Sequence, residues 1–555
     1  MQALKTPNVY RQEKDQSEVT APAGTSVGAI VGSFRQGMVN QRMLMTNDKQ
    51  LIDTVGTPNP DGEDVAVYAG MEFLKESDSL YVVRATKGTE QYACISATTS
   101  ATTAANGGAI LALSSTGFEQ NTPTVIADLD DEPMPTGAKI MIASIGPGTY
   151  GNLIGITLET SASPTSSDWS NKYDATISGT VFKLSVFVAP DANTTLTSAA
   201  QAEEVFYAST LYQKDGEGKQ LFIEDVINGK SKYIYVNCVS GGTALGIIKK
   251  TDGSPVGSPV MLQNGVDATF FNAGQSSVTN AWNLFVDKVA VSVNILIDVM
   301  KVSLEGVVPN IVAQRLDCIA CVQAGDSDEL TVAAIKAGFP TGMTLPSYAA
   351  VYGGWDKIYD SFNDRYVLIP KCVYGAVVMA RTDRVAKTWD APAGMNRGIL
   401  PSIGQNVIFS DTDIGNLYDV NINTSKFIRG TGNVLWGQKT AQKKKSALDR
   451  INVRRLLLYI ENSIEPSLLP FLFEPNDTKV RLRAWGIVDD FMKGVLAGGG
   501  VTKYEVVCDD TNNTPQTIDN NELILDVYVQ RTKTIEFIRL NIIVTRTGVN
   551  FAEIR

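Results

Sequence analysis

Histidine is absent from all 555 residues. That removes the commonest general base, the commonest nitrogen ligand of zinc and the usual proton switch near neutrality. Catalytic arrangements built on Ser-His-Asp or Cys-His are excluded outright. Cysteine is scarce: the six, at 94, 238, 318, 321, 372 and 508, are too few to staple so long a chain. No run is apolar for the length of a membrane span. The start, Met-Gln-Ala-Leu-Lys-Thr-Pro-Asn, has no apolar signal core. The expectation is a chain made in a reducing cytosol, which stays there or leaves by a route other than secretion. No cofactor, metal or stable membrane insertion is expected.

Charge is uneven. Acidic residues outnumber Lys and Arg 59 to 48, a net of -11. Residues 440–555 carry 16 basic and 15 acidic side chains, so the excess lies in 1–439. An acidic body with a balanced C-terminal region argues against direct binding of nucleic acid. It fits self-association between faces of opposite sign. The length itself implies more than one core.

Residues 1–20 are polar, with Val9, Tyr10 and Val19 as anchors, and read as an arm. A buried strand over 24–33, a helix over 47–55 closed by Gly56, a helix over 64–76 and a strand over 80–84 make an α/β start. From 95 to 300, Ser, Thr, Asn, Ala and Gly dominate. Strand candidates recur there at 125–129, 138–145, 153–158, 180–188 and 232–238, a β-rich insertion. The α/β texture returns with a strand-like 311–322 and helices over 326–337 and 373–385. One α/β core interrupted by an insertion is the simplest layout.

The clearest periodicity comes last. A helix over 443–464 puts Val453, Leu457, Ile460 and Ile464 on one side and is stopped by Pro466. Asn476-Asp-Thr478 caps a second, with Ala484, Val488, Phe491 and Val495 on its inner stripe. Strands are expected at 503–508, 522–529 and 534–546. Leu523, Leu525, Val527 and Val529 on one strand, and Leu540, Ile542 and Val544 on the next, are candidate inter-subunit linking residues. Strands this apolar must pair with their own sheet or with a neighbour's.

Four patterns suggest chemistry, and each has a plainer account. Gly146-Pro-Gly-Thr-Tyr-Gly151 spells a dinucleotide fingerprint, yet β-leaning residues follow it and Pro147 removes an amide from the cradle. A tight turn between strands is the better reading. Cys318-Ile-Ala-Cys321 has no second pair and no histidine to complete a metal site, so both read as buried structural thiols on a strand. Lys443-Lys-Lys445 reads as the solvated start of a helix. The pairs Asp489-Asp490 and Asp509-Asp510 lack the further oxygen ligands that calcium requires.

Four stretches together carry a family likeness: the glycine strand 24–33 onward to Phe73; Tyr348-Ala-Ala-Val-Tyr-Gly-Gly-Trp355; Ala380-Arg-Thr-Asp383 with Trp389-Asp-Ala-Pro-Ala-Gly394 and Trp436-Gly-Gln-Lys-Thr440; and Asn452-Val-Arg-Arg-Leu456 through Phe471-Leu-Phe-Glu-Pro475 to Val544. On these the chain resembles contractile tail sheath proteins of myovirus-type bacteriophages, relatives of the sheaths of contractile bacteriocins and type VI secretion systems. The resemblance implies an α/β (α+β) multidomain fold. Its core of mixed sheets is flanked by helices, with β-rich insertions and arms that augment neighbouring subunits. It divides the chain into an arm 1–20, core 21–95, insertions 96–190 and 191–304, core 305–440 and a C-terminal domain 441–555. It implies a non-enzymatic subunit, assembled in the host cytoplasm and resident in the virion tail. Its partners would be itself in six-membered rings, the tail tube, the baseplate and the tail terminator. Contraction would drive the tube through the host envelope. Two other readings stand beside it: a receptor-binding or adhesion protein of the tail, and a histidine-free carbohydrate-active enzyme using paired carboxylates.

Overall fold

The computed structural model describes residues 26–58, 65–85, 91–100, 110–114, 138–160, 180–190, 200–238, 259–266, 275–300, 307–340 and 342–534, with a few single positions besides. The expected arm at 1–20, the strand at 125–129 and most of the strand at 534–546 lie outside these residues. The chain forms two units. One holds Gly24–Thr388 and Pro392–Leu458; the other, among described residues, holds 389–391 and 459–534.

The first unit begins with strands β1 (Gly28–Gly32) and β2 (Arg42–Met45), helices α1 (Asp48–Val55) and α2 (Val65–Leu74), and strand β3 (Leu80–Arg84). Asn47 caps α1 by accepting from the Gln50 amide at 2.8 Å, and Gly56 closes it with φ at 87°. A Cβ on Gly32 would stand 2.2 Å from that of Ala66, so α2 rests directly on β1.

The insertion follows: β4 (Cys94–Ser100), β5 (Ile110–Ser114), β6 (Ala138–Ser144), β7 (Ile154–Thr160), β8 (Val181–Val188), β9 (Glu204–Ser209), helix α3 (Ile223–Ile227), β10 (Ile234–Cys238) and β11 (Val260–Met261). They make two antiparallel sheets, ordered β10-β6-β4-β5 and β11-β7-β8-β9. Ile140, Ile142, Ile156, Phe182, Leu184 and Val236 from both sheets share one core. The expected division at residue 190 runs through that core, because β9 pairs with β8 and β10 with β6. Pairing across sheets leaves no mark in the residue texture, which is uniform over 95–300.

The core resumes earlier than residue 305, with helix α4 (Gln275–Asn283) and strand β12 (Ile295–Asp298). Next come α5 (Val307–Arg315), β13 (Ile319–Ala324), α6 (Val332–Ala337), β14 (Ala349–Gly353), β15 (Trp355–Asp360), β16 (Arg365–Pro370) and α7 (Lys371–Val385). The strand expected over 311–322 is thus half helix: Leu316, with φ at 65°, ends α5 and turns the chain into β13. The unit closes with β17 (Gly404–Gln405), α8 (Asp411–Asp419), β18 (Ile422–Asn423), β19 (Ser425–Ile428) and β20 (Gly432–Leu435).

The main sheet runs β18-β14-β13-β12-β1-β3-β2 and is parallel except for β2. Strands β1, β12, β13 and β14 are buried at every position, as a parallel sheet covered on both faces requires. Helix α7 covers one face, and its Gly375 lies against the Tyr352 ring, where an added Cβ would come within 2.3 Å. Arg84 ties the sheet to the insertion by donating to the carbonyls of Gly37 (3.1 Å), Arg35 (3.3 Å) and Pro147 (2.6 Å).

Two outcomes follow. Gly375→Ala should lower stability by about 1–3 kcal/mol, read by denaturant unfolding, because α7 must lift off Tyr352. Burial raises the Glu76 carboxyl, but hydrogen bonds from Arg384 and Arg381 outweigh it and hold it below its ordinary 4.5. A depressed carboxylate stabilises the fold above its unfolded pKa and loses that contribution as pH falls through the folded value. Glu76→Gln should therefore flatten the fall in melting temperature below about pH 4.5 while lowering it at neutral pH.

Candidate functional site: the C-terminal hairpin and its helices

The second unit starts inside a helix. Helix α9 (Ile451–Leu468) gives its first eight residues to the core and the rest to this unit. It does not begin at 443. Lys439 bridges to Arg450, and Ile451 donates to the Gln438 carbonyl at 2.9 Å, so a closed loop with a 3-10 turn at Ala447–Asp449 comes before the helix. The Lys443–Lys445 run therefore precedes the helix rather than opening it. Pro466 lies within the last turn: its ring removes one amide but leaves the geometry, and the helix ends at Leu468.

Helix α10 (Thr478–Ala497) is capped by Asp477, whose side chain accepts from the Val480 amide at 2.8 Å. Ala484, Val488, Met492 and Val495 are buried. Phe491, expected on that stripe, sits half-buried beside Tyr459, ring centres 5.8 Å apart. Trp389 completes this aromatic row. It meets Tyr459 edge-on at 5.6 Å and donates its indole N–H to the Gly498 carbonyl at 3.2 Å.

Strand β21 (Val501–Val507) packs on α10. Trp485 donates to the Val506 carbonyl at 2.9 Å and the Tyr504 hydroxyl to Asp489 at 3.0 Å. After a short helix, α11 (Pro515–Asp519), strand β22 (Asp526–Arg531) pairs antiparallel with β21. The strand expected at 522–529 thus starts four residues late. Buried Asn513 explains the delay: its side-chain amide donates to the Ile524 carbonyl and accepts from the Ile524 amide, both at 2.8 Å. Leu523 and Leu525 lie in this clamped stretch. Val527 and Val529 lie on β22 opposite Val506 and Tyr504. Val9, Tyr10, Val19, Leu540, Ile542 and Val544 lie outside the described residues.

Among described residues the hairpin is a two-stranded sheet, so each strand has one side without a strand partner. Tyr528 on β22 is 60% exposed. The sequence did not single out Asn513, Tyr528 or the Trp389–Gly498 bond. Of the aromatic row, the periodicity of the sequence named only Phe491, on the inner stripe of its helix.

The patterns that suggested chemistry have structural occupations. The turn Gly146–Gly151 leads into a single 3-10 turn and β7, and a Cβ on Gly146 would stand 2.3 Å from the Gly37 carbonyl oxygen. The Gly37 carbonyl and the Arg84 guanidinium stand against Gly146, where a phosphate cradle needs free amides. Cys318 and Cys321 are fully buried; burial pushes both thiols up, Cys321 to about 12. Asp489 accepts from Tyr504 and pairs with Lys493 at 2.9 Å, and Asp510 pairs with Arg481 at 2.8 Å. The most reactive-looking cluster is Lys371, 3.1 Å from Asp356 and hydrogen-bonded to Ser425. Burial pushes Asp356 up and Lys371 down, and both are wholly enclosed, so no substrate reaches them.

The fold is that of solved sheath tail proteins. The one from Listeria innocua aligns with a TM-score of 0.54 at 10% identity, covering 93% of this chain and 97% of that one. The one from Desulfitobacterium hafniense aligns at 0.53 and 9%, covering 95% and 100%. Residues 443–545 match the family described as phage tail sheath C-terminal domain. The tail sheath proteins of Vibrio phage KVP40 and Enterobacteria phage T4 are each 32% identical, over 381 and 379 residues, 64% of this chain. The chain spans about half their length, 55% and 56%. Residues 443–545 thus carry the C-terminal domain of the tail sheath family, and the chain as a whole shares the fold of the solved sheath tail proteins.

Trp389→Ala should cost the second unit roughly 2–3 kcal/mol. Hydrogen exchange should report faster opening of α10 and β21, with β12–β14 unchanged.

Proposed function

We propose that this chain is a structural subunit of a contractile tail sheath. It polymerises in stacked six-membered rings around a tail tube, engages the baseplate and tail terminator, and by contracting drives the tube through a host envelope. It is assembled in the host cytoplasm and resides in the virion tail. No catalytic step is required, because the energy is stored during assembly.

The observation that carries this reading is the C-terminal hairpin, two strands on a helical platform, within residues 443–545 that match the tail sheath C-terminal domain. A strand from a neighbour can add to such a hairpin through its backbone. Four or five hydrogen bonds at about 0.5–1.5 kcal/mol each supply several kcal/mol before side chains contribute. A link of that kind survives while weaker surfaces between bodies are exchanged. Val527, Val529 and, beyond the described residues, Leu540, Ile542 and Val544 are the proposed linking positions, with Val9, Tyr10 and Val19 on the N-terminal arm.

Purified protein should form long tubes by negative-stain microscopy. Deleting residues 1–20 should leave a folded monomer that does not make them. Extended tubes from the truncated chain would remove the arm from the linking role, and a stable free trimer of the full chain would favour a receptor-binding protein instead.

A further inference from the structure

The turn between α9 and α10 reads Leu469-Pro-Phe-Leu-Phe-Glu-Pro475. Leu469 is 58% exposed, Leu472 62%, and Phe473 wholly so. Phe473 also holds φ at 69°, a region that side chains of its size rarely adopt. The turn is nevertheless firm. The Leu472 amide donates to the Leu469 carbonyl at 3.1 Å and the Glu474 amide to the Phe471 carbonyl at 3.2 Å. Two prolines fix their own φ, and the Arg483 guanidinium lies 5.3 Å from the Phe471 ring centre. A rigid, strained, apolar tip in water adds nothing to the folding of its own unit. Strain kept in this form marks a contact made elsewhere.

The same chain carries a face of matching chemistry. On the sheet β16-β15-β17, Lys357, Tyr359 and Tyr366 point to solvent, with Phe362 at the turn. The two tyrosine rings meet edge-on at 5.7 Å, and the Tyr359 hydroxyl donates to Asp364 at 2.7 Å, which fixes its ring. Lys357 lies 5.2 Å over the Tyr366 ring and makes no ion pair among the described residues; neither does Glu474, next to Phe473. A second exposed aromatic pair, Phe427 and Trp436, fits less well, because its lysine, Lys426, already pairs with Asp411 at 2.7 Å.

We propose that the 469–474 turn is a docking knob for a second copy of this chain, received on the Tyr359–Tyr366 face, with Phe473 against the rings and Glu474 paired to Lys357. Knob and face are different surfaces, so the contact is heterologous: it repeats from copy to copy into a ring or an open helix rather than closing as a dimer. The inference rests on the polymer reading above and adds to it a site outside the hairpin.

A charge exchange tests it. Glu474→Lys and Lys357→Glu, both at exposed positions, should each raise the protein concentration needed for polymerisation about three- to tenfold at low salt, read by sedimentation. Combined, they should restore assembly to within about twofold of the unaltered chain. Phe473→Ala should weaken assembly without lowering the melting temperature, which separates docking from folding. If tubes form but the double variant assembles no better than either single one, or Phe473→Ala leaves assembly unchanged, the docking pair is wrong and the sheath reading stands. If unaltered chains do not associate at all, both readings fall.

Discussion

The parallel pairing of β1 with β3 on one side and β12 on the other is the constraint on which the rest of this structure depends. It makes neighbours of residues 28–30 and 295–297, separated by the whole insertion. Such a separation is tolerable because loop-closure entropy grows only with the logarithm of length. It is more tolerable still because the insertion carries a core of its own and is not a slack loop. The same pairing buries β1, β12, β13 and β14 on both faces, which leaves the sheet only its edges. Those edges are short, four residues in β2 and two in β18, and so offer poor templates for another chain.

The C-terminal hairpin has the opposite character. Its strands are seven and six residues long, and two strands alone are marginal in water. Three supports compensate: α10 beneath β21, the Trp485 and Tyr504 hydrogen bonds, and the Asn513 clamp on Ile524. They all lie on β21 or on the approach to β22. Strand β22 itself is held mainly by its ladder to β21, with Tyr528 and Val529 turned to solvent. A strand held in this way gains most from a further strand beside it.

What the residues disclosed in advance depends on where each signal lives. Elements whose cause is local were legible: α1 from its stop at Gly56, α10 from its cap and stripe, β3 and β8 from their apolar runs. Elements set by distant pairing were not. The start of α9 is decided by Lys439 and Gln438 bridging to 450 and 451, and the start of β22 by Asn513. The end of the helix over 307–315, from Ile311, was read into the strand-like 311–322 because its buried face is as apolar as a strand. Of the linking positions, period-2 alternation placed Val527 and Val529 on a strand correctly, but nothing in that alternation says whether a neighbour pairs there. The docking turn gave no periodic signal, since its peculiarity is a backbone angle at Phe473.

The absence of histidine then acquires a mechanical meaning. In the proposed contraction no imidazole is there to drive a change of state by protonation, and the difference between states is assigned to surfaces made and unmade. The chain's buried charges support this. Arg455 with Asp383 and Arg315 with Asp317 are paired at 2.6 and 2.7 Å inside the first unit, where they fix that unit's own packing. Outside it, among the described residues, lie the unpaired sides of the hairpin and the exposed apolar tip at Phe473. A preference of even ~1 kcal/mol per subunit between two ways of covering those surfaces becomes decisive when many identical subunits change together. A repeating polymer can thus store a state in its contacts while each protomer's core stays as it is.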